Sequence, residues 1–302
     1  AKNKNEVFIC NFACHEKNSG KISWLNFKET DHFNTDVLVV LDDIDLINNS
    51  IFAKRRYFWL GEFSPVLNQK KTLIKLLQNQ YSILYNNHNL FDMLSSNYKF
   101  VKKHFLSSGV TNGYFEVRHE NLSLSKAFVT THPLKGLDWL LDVWVKFIHN
   151  KLPWAEMHIY SNLLTKKSNN YKVNNLKLKL IKYKNRGIFI KKPLPQKKFI
   201  DVLSKYKVHF CPSTENTSQV QTILESQAAG IPVISRINNL IYNNIYDNET
   251  GFITDNTEVF AKKTIDLLEN KNLFKRMSSN SRLNTQVKKW NDVVVEFERI
   301  LK

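Results

Sequence analysis

Apolar and polar positions sort most clearly between Pro212 and Ser235, PSTENTSQVQTILESQAAGIPVIS. From Val220 the apolar residues fall at Val220, Ile223, Leu224 and Ala228, the spacing of a helix with one buried face. Ser218, Gln221, Thr222 and Glu225 take the opposite, polar face. Gly230 and Pro232 stop the helix, and IPVIS reads as a buried strand. VHFCPS before the loop reads as another, so strand, polar loop, helix and strand follow as a βαβ unit. In such a unit the strand's C-terminal end and the helix N-terminus form a natural anion site.

The same alternation extends along the chain. Strand-like runs stand at EVFICNFA, DVLVVLDD, RRYFWLGE and YSILYNN, separated by helical or polar segments. They predict a parallel, mostly buried sheet. SSGVTNGYFEV carries turn chemistry and closes this region. A second series starts with KAFVTT, the helical LKGLDWLLDVWVKFIHN and the strand AEMHIYS. The strand GIFIKK, the helix QKKFIDVLSKY and the strand VHFCPS follow. After the opening segment, NETGFIT reads as a turn with a short strand, and residues 257–302 read as helical. The expectation is an α/β chain of two Rossmann-like domains, 1–118 and 119–302, facing one another across a cleft. The last helix is free to pack back on the first domain.

Length and composition fit this. A chain of 302 residues can hold two cores, and 42% hydrophobic residues mark it as globular. No apolar run approaches the ~20 residues that span a bilayer. The N-terminal AKNKNEVFIC lacks the apolar core of a signal peptide. The three cysteines, Cys10, Cys14 and Cys211, suit a reducing cytoplasm. Cytoplasmic placement, peripheral to a membrane, is the expectation. Charge is lopsided: the net +17 divides as 15 basic against 12 acidic residues over 1–120, and 29 against 15 over the rest. Between Lys166 and Lys198 stand twelve basic residues and no acidic one. Such a face attracts a polyanion: an anionic membrane, a phosphorylated glycan or nucleic acid.

Candidate chemistry is sparse. Lys135, in FVTTHPLKGLDWLL, starts an amphipathic helix, where its charge opposes the helix dipole. An anion bound there resolves the conflict. Asp43 and Asp45 follow a strand and could hold a divalent metal against a diphosphate, although a helix cap explains them as easily. NSGKIS lacks the first glycine of a phosphate loop, with His15 in its place, and leaves Gly20 in a usable turn. No histidine cluster has metal-ligand spacing, and no nucleophile signature occurs.

Taken together, residues 122–302 resemble the nucleotide-sugar domain of the GT-B glycosyltransferases, the retaining group 1 enzymes that include glycogen synthases and bacterial mannosyltransferases. TTHPLKGLDWLLDVW, PWAEMHIYS, GIFIKKPLPQKKFIDVLSKYKVHFCPS, ESQAAGIPVIS and NETGFIT match the family's segments in order, as does the tail KRMSSNSRLNTQVKKWNDVVVEFERIL. The resemblance implies transfer of a sugar from a nucleotide-diphosphate sugar to an acceptor hydroxyl, without a divalent metal or other cofactor. It makes Glu225 the ribose ligand and Lys135 the cation that neutralises the diphosphate. The backbone of Ser218, Gln219 and Val220 cradles the sugar-phosphate. Thr217 stands where the family has its first glutamate, and Glu215 is the nearest carboxylate to orient a sugar hydroxyl. Thr130 stands at the family's arginine, with His132 close by as a substitute. His15 and Gly20 would lie on the acceptor side. Three alternatives stay open: a metal-dependent enzyme using Asp43 and Asp45, a glycosyltransferase acting on bases of viral DNA, and a non-catalytic binding protein on this fold.

Overall fold

The computed structural model describes residues 5–12, 17–19, 22–31, 33–61, 64–94, 96–120, 123–215, 219–238, 241–284 and 287–302. The chain divides into two units, Ala1–Phe105 and Leu106–Lys302.

In the first unit, β1 (Val7–Asn11) pairs in parallel with β3 (Ile22–Asn26), and β2 (Lys17–Ser19) pairs antiparallel with β3. A separate parallel sheet runs in chain order through β4 (Asn34–Leu41), β5 (Phe52–Leu60), β6 (Tyr81–Tyr85) and β7 (Lys103–Phe105). Helix α1 (Lys70–Gln78) makes the crossover from β5 to β6, and α2 (His88–Asp92) follows β6. The predicted parallel strands form, with Phe58, Leu60, Ile83 and Leu84 fully buried. Three strands, β2, β3 and β7, were not marked by the pattern. β7 has only three residues, and its pairing with β6 makes it a strand. Asp43 is the cap: it opens a short 3₁₀ turn, Ile44–Asn48, and its carboxylate accepts the Asp45 N–H at 3.0 Å. His15 and Gly20 lie outside the described residues.

The second unit begins earlier than the boundary expected at residue 118. Residues 106–118 pack with it, because β8 (Gly109–Val110) pairs with β15 (Lys288–Lys289), and Tyr114 of α3 (Asn112–Glu116) is buried beside Val110, Val220 and Leu224. Its main sheet has six parallel strands: β9 (Lys126–Val129), β10 (Glu156–Tyr160), β11 (Ile188–Lys191), β12 (Val208–Cys211), β13 (Val233–Ser235) and β14 (Gly251–Ile253). Their order is β11-β10-β9-β12-β13-β14. The chain winds outward from β9 to β11, returns to β12, and winds outward the other way, as in a Rossmann sheet. α4 (Leu137–Val143) runs on into a π-helical turn, Trp144–Ile148, and α5 (Asn162–Thr165), α6 (Tyr171–Lys182), α7 (Gln196–Leu203) and α8 (Val220–Ala228) follow. Beyond β14 come α9 (Thr257–Glu269), α10 (Lys271–Leu283) and α11 (Trp290–Ile300).

The period-2 alternation of each strand divides the core. Ala127 and Val129 of β9 join Leu140 and Leu141 of α4 and Trp144 of the π-helical turn on one side, with Phe210 and Phe260. Phe128 between them joins Tyr206, Val220 and Leu224 on the other. The opening βαβ unit forms as its pattern predicts. Gly230, at φ 70°, ends α8 in the left-handed conformation, and the Ile231 N–H reaches back to the Ser226 carbonyl. Arg282 then donates to the exposed ends of the helix, the Ala228 and Ala229 carbonyls, and to Val117.

Candidate active site

A doubly wound sheet has one place where consecutive loops part, and here it lies between β9 and β12. The loop after β9 carries Thr130, Thr131, His132 and Lys135; the loop after β12 runs from Pro212 into α8. Gly136 joins them. It begins α4 at φ 84°, and a Cβ there would stand 2.2 Å from the Pro212 carbonyl oxygen. Only glycine allows this backbone-on-backbone approach, which accounts for the Lys-Gly pair. Thr131 adds a second link, donating its hydroxyl to the Gln219 side-chain oxygen at 3.4 Å.

Within the β9 loop His132 makes the turn. Its carbonyl accepts the Lys135 N–H at 2.8 Å and its Nδ1 accepts the Leu134 N–H at 3.3 Å. The acceptor role of Nδ1 leaves the proton of the neutral ring on Nε2. Lys135, half-buried, forms no ion pair with any described carboxylate. Arg236, just past β13, differs: Asp255 holds it at 3.1 Å and its guanidinium lies over the Trp139 ring. Of these two cations, Lys135 is the one without a described counter-charge.

Thr130 points to a residue that sequence reasoning passed over. Its hydroxyl lies 3.5 Å from Nε2 of His209, whose Nδ1 is 2.9 Å from the Ser226 hydroxyl. The His209 ring stacks on Phe128 at 4.5 Å, within 3° of parallel. Complete burial pushes its pKa down to about 3, so the ring is neutral. His209 ties the end of β9 to α8 from below. Its only signal in the sequence is a histidine inside a four-residue apolar strand.

The β12 loop is held at its backbone. The Glu215 N–H donates to the Ser213 hydroxyl at 3.2 Å, and the buried Asn238 amide donates to the Glu215 carbonyl. The carboxylate of Glu215 is left exposed. Thr217 and Ser218 lie outside the described residues. Gln219 flanks α8 without capping it through its side chain, and among the described residues no side chain caps the first turn at Val220. The helix dipole adds partial positive charge there. Lys135, Thr131, the Glu215 backbone, Gln219 and Val220 thus lie on two loops that Gly136 and Thr131 link, and on the helix start that follows one of them.

Glu225 sits five residues into α8, about 7–8 Å along the axis. It is half-buried and accepts hydrogen bonds from the Gln221 amide at 3.2 Å and from the Tyr114 hydroxyl. Gln221 also donates to the Gly109 carbonyl at 3.0 Å. Burial pushes the Glu225 carboxyl above its usual range. α8 is buried on more of its circumference than its pattern implied. Ser226 answers His209, and Gln227 bonds the Asn244 carbonyl and Asn284. Each polar group that turns inward has a partner, which makes its burial affordable.

Residues 126–270, from β9 to the end of α9, match the family described as glycosyl transferases group 1. No curated protein matches the chain in sequence. Solved structures resemble it over both units. TarM of S. aureus, in complex with fondaparinux, α-GlcNAc-glycerol and UDP, superposes with TM-score 0.65 at 16% identity, over 87% of this chain and 55% of TarM. A glycosyltransferase from Rickettsia africae gives 0.67 at 17%, over 89% and 76%. HepE of Anabaena, in complex with UDP and glucose, gives 0.68 at 11%, over 88% and 77%. This chain thus spans little more than half the length of TarM. Residues 126–270 thus match the group 1 glycosyl transferases, and the fold is that of the GT-B enzymes.

Proposed function

We propose that the protein transfers a sugar from a nucleotide-diphosphate sugar to an acceptor hydroxyl, with retention of configuration and without a divalent metal. The observation that carries this reading is the Gly136 contact. It brings the loop of Lys135, a cation without a described counter-charge, against the Pro212 end of the loop that leads to α8, which supports a diphosphate role at the sheet's switch point. UDP is the first donor nucleotide to test, because the TarM and HepE structures both hold it.

In the reaction the bond between the anomeric carbon and the diphosphate oxygen breaks, and its electron pair leaves with the diphosphate. The acceptor oxygen bonds the anomeric carbon and releases its proton. Negative charge grows on the leaving oxygen, where Lys135 and the α8 amides act as preorganised electrostatic partners. Glu225 fixes the ribose, and Glu215 orients a sugar hydroxyl. Retention rests on the family resemblance. The exposed Lys191, Lys192, Lys197 and Lys198 favour an anionic acceptor.

A screen of nucleotide sugars for slow donor hydrolysis, with and without a chelator, tests the reading without any acceptor. Turnover of one donor, indifferent to the chelator, is expected. Lys135→Ala should lower that rate on the order of 10²–10³-fold, the cost of one preorganised donor at a developing charge. Its melting temperature should stay the same or rise slightly, since an unfavourable dipole contact is relieved. A variant with full turnover rules out the diphosphate role of Lys135.

A further inference from the structure

We infer that the outward face of α6 docks the protein on an anionic lipid surface. α6 is apolar on two opposite sides. Val173 and Leu176 are buried and Leu180 packs beside them in the core. Tyr171, Leu178 and Ile181, at spacings of seven and three residues, share the other side. They are 68%, 64% and 68% exposed. Three large apolar side chains exposed together on one side of a helix mark a contact surface, so the second stripe calls for a cover.

The charge around the stripe selects it. Lys166, Lys167, Lys172, Lys182 and Lys184 are exposed, and none pairs with a described carboxylate. Lys179 does pair, with Asp138 and Asp142 of α4, and so belongs to the packed side. Aliphatic and aromatic side chains set among unpaired lysines match the boundary of an anionic bilayer, where the apolar groups enter the acyl edge and the ammonium groups meet headgroups. Nucleic acid would use the lysines but has no use for exposed Leu178 and Ile181. A second copy would bring the same basic stripe against this one, on a chain of net charge +17. Among the described residues no helix is long and apolar enough to cross a membrane, so the contact is interfacial.

Docking is independent of the transfer reaction and is tested without it. The full chain is sedimented with vesicles of phosphatidylglycerol and phosphatidylcholine, and with phosphatidylcholine alone. Binding only to the anionic vesicles, weakening as salt is raised, is expected. Leu178→Ser/Ile181→Ser removes no charge and no buried group; its melting temperature should hold while partitioning falls about ten-fold. Lys172→Gln/Lys182→Gln should lower it similarly and flatten the salt dependence. Partitioning unchanged in the serine variant overturns the proposal. So does tighter binding to duplex DNA lost in both variants, or a solution dimer that the serine variant abolishes.

Discussion

Gly136→Ala adds one methyl group at the point where two loops touch. At φ 84° an alanine occupies the left-handed region, which costs an L-residue roughly 1–2 kcal/mol. The new Cβ would lie 2.2 Å from the Pro212 oxygen and 2.6 Å from its carbonyl carbon. Carbon contacts settle near ~3.5 Å, so the loops must part by about 1 Å. Forcing apart well-packed groups costs a further ~1–3 kcal/mol. Together these destabilise the second unit by roughly 2–5 kcal/mol, or about 5–15 °C in melting temperature for a unit of this size. The same displacement moves Lys135 away from α8. A misplacement of ~1 Å costs on the order of 10²-fold in rate. Thermal melts followed by circular dichroism give the first quantity, and donor hydrolysis by the folded fraction gives the second. Wild-type melting and turnover together would refute the close approach itself. Lowered melting with full turnover would keep the approach but remove Lys135 from the chemistry.

Two further predictions rest on titrating groups. Burial raises the Glu225 carboxyl, so the folded state holds its proton more tightly than the unfolded chain. The associated stability is present below the ordinary carboxylate range and is lost as pH rises through the raised value. Glu225→Gln should then melt like wild type near pH ~4 and above it near pH ~7, while its affinity for UDP falls several-fold by calorimetry. Equal melting at both pH values contradicts the burial, and unchanged affinity places the ribose elsewhere. For His209 the sign reverses: its folded pKa is depressed from 6.5 to about 3. Its contribution is complete above pH 6.5 and drains as pH falls towards 3, at up to ~1.4 kcal/mol per pH unit. The stability difference between wild type and His209→Asn, measured by urea unfolding, should shrink across that window. A constant difference means the ring is protonated in the folded state or does not matter to it.

In the second unit β9 to β14, α4, α7 and α8 were legible because their signals are local, whereas α6 was hidden in the basic segment. Val220, Ile223, Leu224 and Ala228 keep helical spacing whatever surrounds them, and Gly230 ends the helix by its own conformational freedom. Lys135 and Gly136 were visible as a pair for the same reason: a charge at a helix start and a residue without a Cβ are both local oddities. Asp43 was legible as a cap. Tertiary structure decided what depends on pairing between distant segments. β7, three residues long, and β8 with β15, two residues each, carry too little pattern to be seen and exist only because a neighbouring strand completes their hydrogen bonds. The same pairing draws residues 106–118 into the second unit, where Tyr114 reaches Glu225 across more than a hundred residues of chain. The family resemblance named Glu225 but could not say that its carboxylate is already hydrogen-bonded and half-buried. Nor could it show His209 beneath Thr130, since a buried imidazole is defined by the groups around it, here Phe128 and Thr130 at the end of β9 and Ser226 of α8. Periodicity is a property of neighbours in the chain, so the sequence alone determined the elements long enough to carry a pattern. Burial, and with it every shifted pKa and the gap that admits only Gly136, is a property of neighbours in space, and only the fold could assign it.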